Sequence, residues 1–220
     1  MKKIDYTSLI LLLMVLIFPL LSCAEQPLEV LEEIKLPSPR TEGGRPLMEV
    51  LKERKTTRFF SSKELSNQEL SNLLWAAFGV NRTPEGKRTA PSSMNMQEID
   101  IYVAKKDGLY LYDATKNVLY KILNEDIRAA TGRQDFVTEA PMNLVFVTDY
   151  SRMGSLKQET KDFYSATDTG FIAQNVYLYC ASEGLGTVVR SSFDREKLHK
   201  VMKLKRSQKA ILAQTVGYPG

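Results

Sequence analysis

Met142-Asn143-Leu144-Val145-Phe146-Val147-Thr148 is an almost unbroken apolar run. A strand with one wet face alternates apolar and polar side chains, whereas a strand covered on both faces does not. The run therefore predicts a central strand with a layer of structure on each side. Downstream, Glu159 to Glu183 reads as the longest helix. It is apolar over a broad arc that includes Phe163, Ala166, Phe171, Ile172, Val176 and Tyr179. Such a helix is buried on most sides, within the domain or against a second subunit. Thr187 to Arg190 and Ala210 to Val216 read as further strands, with a helix from Asp194 to Met202 between them.

Upstream, Gln97 to Ala104 alternates through Ile99, Ile101 and Val103, as a strand does. Gly108–Asp113 and Asn117–Ile122 read as a hairpin turning at Ala114-Thr115-Lys116. Glu125 to Ala130 reads as a helix ended by Gly132. Ser66-Asn67-Gln68-Glu69 has the form of a helix cap with a polar residue three positions on. The helix it opens places Leu70, Leu73, Leu74, Ala77 and Phe78 at helical spacing and stops at Gly79. Leu47 to Leu51 forms a short amphipathic helix ending near Arg54. This order of elements predicts a three-layer α/β or α+β sandwich.

The 220 residues suffice for one domain with its own core. A formal charge of +4, without a basic tract, argues against a nucleic-acid partner. Lys2 and Lys3 precede an apolar run from Leu9 to Leu21, too short to span a bilayer but fitting a secretory signal over residues 1–22. Its end, Leu20-Leu21-Ser22-Cys23, resembles the bacterial lipoprotein processing site. That resemblance implies a lipidated Cys23, a tether and wrapping arm over residues 23–45, and a folded domain over 46–220. The protein is then exported and membrane-anchored, on the periplasmic or outer-membrane side. Cys180, the one other cysteine, lies in an apolar helical run and reads as a buried small hydrophobe.

Several chemistries are excluded. The single histidine, His199, and the lack of a usable cysteine pair leave no zinc site. No Gly-x-Ser-x-Gly elbow and no phosphate loop of the Walker kind occur. Gly184-Leu185-Gly186 leads from helix to strand and lacks a third glycine, so it is not a dinucleotide fingerprint. What remains is Arg54-Lys55-Thr56-Thr57-Arg58, followed by Ala90-Pro91-Ser92-Ser93-Met94-Asn95-Met96-Gln97. Guanidinium groups, small hydroxyls and backbone amides suit a phosphate and a polar heteroaromatic ring, which points to a cofactor that brings its own reactivity.

These two segments, with Gln174-Asn175, Gly184-Leu185-Gly186 and the terminal Val216-Gly217-Tyr218-Pro219, resemble the nitroreductase superfamily of FMN-dependent oxidoreductases. The likeness spans about Pro46 to Pro219, and Leu73 to Gly79 resembles the short branch containing azoline-oxidising dehydrogenases of peptide maturation. The resemblance implies an α+β sandwich around a mostly antiparallel sheet, in an intertwined homodimer with FMN in two interface clefts. By position, Arg54 would bind the FMN phosphate, Thr56 the ribityl–phosphate region, and Arg58 the N1–C2 edge of the ring. Ser92, Ser93 and Asn95 fall in the segment offered to the partner's flavin. Ser191 and Ser192 fall where backbone amides meet flavin N5 and O4, and Gln134 falls near the pyrimidine edge.

Two departures stand out. Many members carry an acid at the position of Ser191. Many also continue into a basic segment that completes the phosphate site, whereas Gly220 follows Pro219 here. Arg54 is then expected to work with Arg88 or Lys209. The reaction implied is hydride transfer through flavin N5, from NAD(P)H or another donor to a nitroaromatic, quinone or similar acceptor, with no protein group acting as general acid. The alternatives are a dehydrogenase of a small heterocycle, or an exported lipoprotein that binds flavin or another ligand without turnover.

Overall fold

A computed structural model describes residues 28–220. The apolar leader and Cys23 lie outside the described residues. Seven strands form one sheet in the order β1-β6-β5-β4-β7-β9-β8. These are β1 (Glu32–Lys35), β4 (Ile99–Lys105), β5 (Gly108–Asp113), β6 (Val118–Leu123), β7 (Met142–Asp149), β8 (Gly186–Arg190) and β9 (Gln208–Gly217). Every neighbouring pair in it is antiparallel. A separate ribbon joins β2 (Val80–Arg82) to β3 (Lys87–Arg88).

β7 is central, between β4 and β9, and all eight of its residues are buried. That is the consequence of its unbroken apolar run. Period-two geometry then sorts its neighbours between two cores. Ile99, Ile101 and Val103 of β4 join Leu144 and Phe146 on one face, with Leu73, Leu74 and Ile172 packed on them. Tyr102, Ala104, Val145 and Val147 point the other way, against Leu198 and Met202. The first face is covered by α2 (Asn67–Phe78) and α4 (Gln158–Glu183), the second by α5 (Arg195–Val201).

Helix α2 starts as its sequence predicts. The Ser66 hydroxyl accepts from the Glu69 N–H, and the Glu69 carboxylate accepts from the Ser66 N–H at 2.8 Å. Helix α1 spans Leu47–Glu53, just ahead of the arginine run. Three segments are more finely resolved than their sequence suggests. The segment read as a tether contains β1, which pairs with the edge strand β6 through Glu32↔Lys121 to Lys35↔Val118. Its charged composition hides a strand whose contribution is almost all backbone hydrogen bonding.

The helix expected at 125–130 is a 3-10 turn over Arg128–Thr131, followed by the short helix α3 (Phe136–Glu139). Asp126 takes the Arg128 N–H at 3.0 Å and its Nε at 2.9 Å, and this local bonding outcompetes a helix too short to propagate. Finally, the broad apolar arc of α4 divides into two. Ile172, Ala173, Val176, Tyr177 and Cys180 are buried with Ser165, Asp168 and Thr169, while Phe163 and Phe171 stay 66% and 45% exposed.

Candidate functional site

The arginine run leaves α1 as irregular chain. Thr57 donates its N–H to the Thr187 carbonyl at 3.0 Å, docking the run on the start of β8. Gly186 makes that approach possible, since a Cβ there would lie 2.8 Å from the Thr57 methyl. On the other side stands Tyr177 of α4. Its hydroxyl shares a hydrogen bond with Thr56 Oγ1 at 3.2 Å and accepts the Val189 N–H at 3.1 Å. The Arg54 guanidinium lies over the Tyr177 ring, 5.2 Å from its centroid. One tyrosine thus ties Arg54 and Thr56 to β8.

β8 leads directly to Arg190, Ser191 and Ser192. The two serines are exposed, while Arg190 is 7% exposed. The Arg190 guanidinium reaches Thr131 Oγ1 at 3.0 Å, Asn143 Oδ1 at 2.7 Å and Thr215 Oγ1, joining the 3-10 turn, β7 and β9. No carboxylate among the described residues faces it, and burial pushes it down to about 10. The Ser192 carbonyl accepts the Arg133 N–H at 3.0 Å, which brings in Gln134. A Cβ on Gly132 would meet Arg190 Nε at 2.5 Å and Gln134 Oε1 at 3.1 Å. Both of those buried atoms lack a hydrogen-bond partner among the described residues.

Arg54 and Thr56 are therefore tied through Tyr177 and Thr57 to β8 at Thr187 and Val189, while Gln134, Ser191 and Ser192 lie beyond its last residue, Arg190, so the two groups are spread along one strand. Arg58 is exposed and has no acidic partner among the described residues. The second predicted segment lies elsewhere. Ser93 is held by Asp168 of α4, through its N–H at 2.7 Å and its hydroxyl at 3.2 Å. Asn95 Oδ1 accepts from Gln97 Nε2 at 3.1 Å, and Ser92 Oγ accepts the Gln97 N–H at 3.1 Å. Asp168 and Tyr177 are nine positions apart on α4, which places them about 13 Å apart and on opposite faces. Within one chain the structure does not bring Ser92, Ser93 and Asn95 to the Arg54 cluster.

The expected phosphate helpers are also placed elsewhere. Lys209 sits at the far end of β9 from Gly217 and pairs with Asp162 at 2.9 Å. Arg88 Nε donates to Gln97 Oε1 at 2.8 Å, and its guanidinium covers Phe78. Neither converges with Arg54. His199 is half-buried beside the Lys205 carbonyl, and Cys180 is fully buried with its thiol pushed far up by desolvation. No cluster of metal-ligating residues occurs among the described residues.

Residues 51–218 match the model of the nitroreductase family, described by that name, over most of the described chain. The chain belongs to the nitroreductase family. A relative named as a nitroreductase, from Methanocaldococcus jannaschii, is 32% identical over 169 residues, covering 72% of this chain and 85% of the relative. A crystal structure of a nitroreductase-family protein from Ralstonia eutropha JMP134 superposes with a TM-score of 0.82 at 42% identity, covering 89% of this chain and 99% of the other. A Staphylococcus epidermidis protein described as an NAD(P)H:FMN oxidoreductase shares the fold at 16% identity, with a TM-score of 0.62 and coverage of 83% and 92%. As a nitroreductase-family oxidoreductase, the chain is expected to concentrate its chemistry where its unpaired cations and orphaned polar atoms meet. Those groups lie along β8, from the docked arginine run to Ser191 and Ser192.

Proposed function

We propose that the protein is an FMN-dependent oxidoreductase, passing hydride through flavin N5 from NAD(P)H or another donor to a small acceptor such as a nitroaromatic or quinone. The observation that carries this reading is the set of unfilled polar and cationic groups along β8. There Arg54 has no acidic partner among the described residues, and Gln134 keeps a buried acceptor unfilled. A cation without an anion beside unfilled polar atoms suits an anionic ligand rich in hydrogen-bonding groups, and FMN is such a ligand. When bound, FMN supplies the two-electron chemistry; the chain supplies grip, orientation and charge.

Arg54 would hold the phosphate, with Thr56 on the adjoining ribityl chain and its hydroxyl oriented by Tyr177. Arg58 would put a fixed positive charge at the N1–C2 edge, where negative charge collects on reduction. The Gln134 acceptor suits a ring N–H. Small side chains at Ser191 and Ser192 let backbone amides come close to N5 and O4. The second segment, with Ser92, Ser93 and Asn95, would complete the site of a partner copy, since it lies too far from the cluster of its own chain.

A homodimer is part of this reading. Leu47, Met48, Phe59, Met94, Phe163 and Phe171 are between 45% and 79% exposed. They lie on α1, on α4 and on the two binding segments. Exposed apolar groups of this size mark an interface. We expect Phe163→Glu combined with Phe171→Glu to yield a monomer with little flavin, and sedimentation would read the mass. A double variant that stays dimeric would remove this part of the proposal.

The lipid anchor is proposed from the sequence alone, and no helix among the described residues is long and apolar enough to cross a membrane. Replacing Cys23 with alanine should abolish incorporation of labelled fatty acid and release the protein to the soluble fraction. Retention of the label in that variant would sink the assignment.

The activity is tested by loading the purified full chain with FMN and adding NADPH without oxygen. Bleaching of the flavin, and its recovery with a nitroaromatic or quinone, is the expected outcome. Loaded protein that neither NADH nor NADPH bleaches would overturn the nicotinamide donor. It would favour dehydrogenation of a small heterocycle, in line with the resemblance at Leu73–Gly79.

A further inference from the structure

The Ser92–Gln97 segment is wound in a costly shape. Met94, Asn95 and Gln97 have φ values of 51°, 55° and 49°, left-handed backbone that non-glycine residues avoid. Such a shape persists only where its surroundings over-determine it. The far end is fastened by the Gln97 side chain, which reaches the Gly86 carbonyl at 3.1 Å and receives Arg88 Nε at 2.8 Å. The near end is fastened by Asp168 alone, which accepts both the N–H and the hydroxyl of Ser93.

Beside Asp168 lies Glu98, the residue that follows the segment. Both are buried, at 1% and 0% exposure. Neither carboxyl oxygen of Glu98 meets a donor among the described residues. Two adjoining buried carboxyls do not both ionise. Asp168 accepts the two donors from Ser93. Glu98 is then satisfied only by keeping its proton and donating it to Asp168. Burial, with the Asp168 charge as a lesser cause, pushes the Glu98 carboxyl from 4.5 up to about 7.

Other charges face the pair. Arg152 favours an ionised Glu98, but it is bound to Asp100 at 2.8 Å and to the Gln97 carbonyl at 3.0 Å. Asp149, at the end of β7, places a further negative charge near Arg152, and Arg88 is held by Gln97.

We propose that Glu98 and Asp168 are positioning residues that form a proton-sharing latch on the Ser92–Asn95 loop, so that retention of the cofactor depends on a proton held at Glu98. The latch rests on the flavin reading for its ligand and not for its existence. Its sign follows from the chemistry. The protonated form is closed and is present below the Glu98 value. As pH rises through about 7, a second negative charge appears beside Asp168, the Ser93 anchor loosens and the strained loop relaxes.

The test is a titration of the full chain with FMN, followed by quenching of flavin fluorescence from about pH 5.5 to 8.5. The parent should bind FMN progressively more weakly as pH rises toward about 7, by at most roughly tenfold per pH unit, the slope one proton allows, and level off above it. Glu98→Gln, which keeps a neutral donor to Asp168, should flatten that dependence. Asp168→Asn should bind weakly at every pH. Hydrogen exchange at the Ser93–Gln97 amides, corrected for its intrinsic pH dependence, reads the latch without any ligand. Protection should fall in the parent as pH rises to about 7 and then level off, and stay level throughout in Glu98→Gln. If FMN binds at no pH, the flavin reading fails and the exchange data alone decide the latch. Parent and Glu98→Gln curves that coincide in both measurements would overturn it.

Discussion

Replacing Arg54 with alanine is expected to strip the protein of flavin while leaving its fold intact. Among the described residues the side chain's one polar or aromatic partner is the Tyr177 ring, 5.2 Å from its centroid, which contributes less than about 1 kcal/mol at a half-buried site. Its backbone N–H, which closes α1 on the Val50 carbonyl at 2.8 Å, survives the substitution. The cost thus falls on the ligand. A charge-assisted contact to a phosphate that is left without its cation costs about 3 kcal/mol, roughly a hundredfold in affinity. Neither Arg88 nor Lys209 is placed to compensate, because both are engaged away from the cluster. Flavin content and melting temperature, measured on the same preparation, separate the two effects. An Arg54→Ala protein that keeps its flavin would contradict the assignment of the phosphate site.

Arg190→Ala is expected to fail in the opposite way, through the fold. The guanidinium has no anionic partner, yet it holds Thr131, Asn143 and Thr215 from three different elements. Alanine would leave a void and a set of buried polar atoms short of donors. Thr215 Oγ1 still donates to Asn143, and Thr131 Oγ1 still donates to the Arg128 carbonyl, so the network is weakened and not abolished. A loss of about 3 kcal/mol is the expected result, read by chemical denaturation. Because Ser191 and Ser192 follow directly, flavin content should fall as well. Arg190→Met keeps much of the volume and should recover part of the stability. A loss below about 1 kcal/mol for the alanine variant would show that the network holds little.

What was legible in the sequence was whatever packing or local bonding enforces. The unbroken run at Met142–Thr148 required a covered central strand, and the Ser66–Glu69 cap marked the start of α2 to the residue. Strand β1 was not legible, because edge pairing uses backbone groups that every residue possesses. On α4 the periodicity showed a broad apolar arc but not its division. Asp168 and Ser165 lie on the buried stripe, whereas Phe163 and Phe171 lie outside it. A helix pattern records hydrophobicity and not which neighbour covers it.

The site follows the same logic. Arg54, Thr56, Gln134, Ser191 and Ser192 were named from the sequence; the first two are tied to β8 at Thr187 and Val189, and the other three lie beyond Arg190. The residues that organise them were missed. Tyr177 acts across 121 positions on Thr56, a contact that spacing does not encode. Arg190 did leave a signal, a charge closing the apolar strand Thr187–Arg190, and the buried guanidinium is its meaning. Glu98 left another, an acid placed immediately before the alternating strand that it enters.

The central claim is that this chain grips FMN through the Arg54 cluster, and the visible absorption spectrum of protein purified without added flavin tests it most directly. A yellow protein with the two-banded spectrum of oxidised flavin, releasing FMN on denaturation, is the predicted result. A colourless protein that also takes up no FMN when it is supplied would contradict the account.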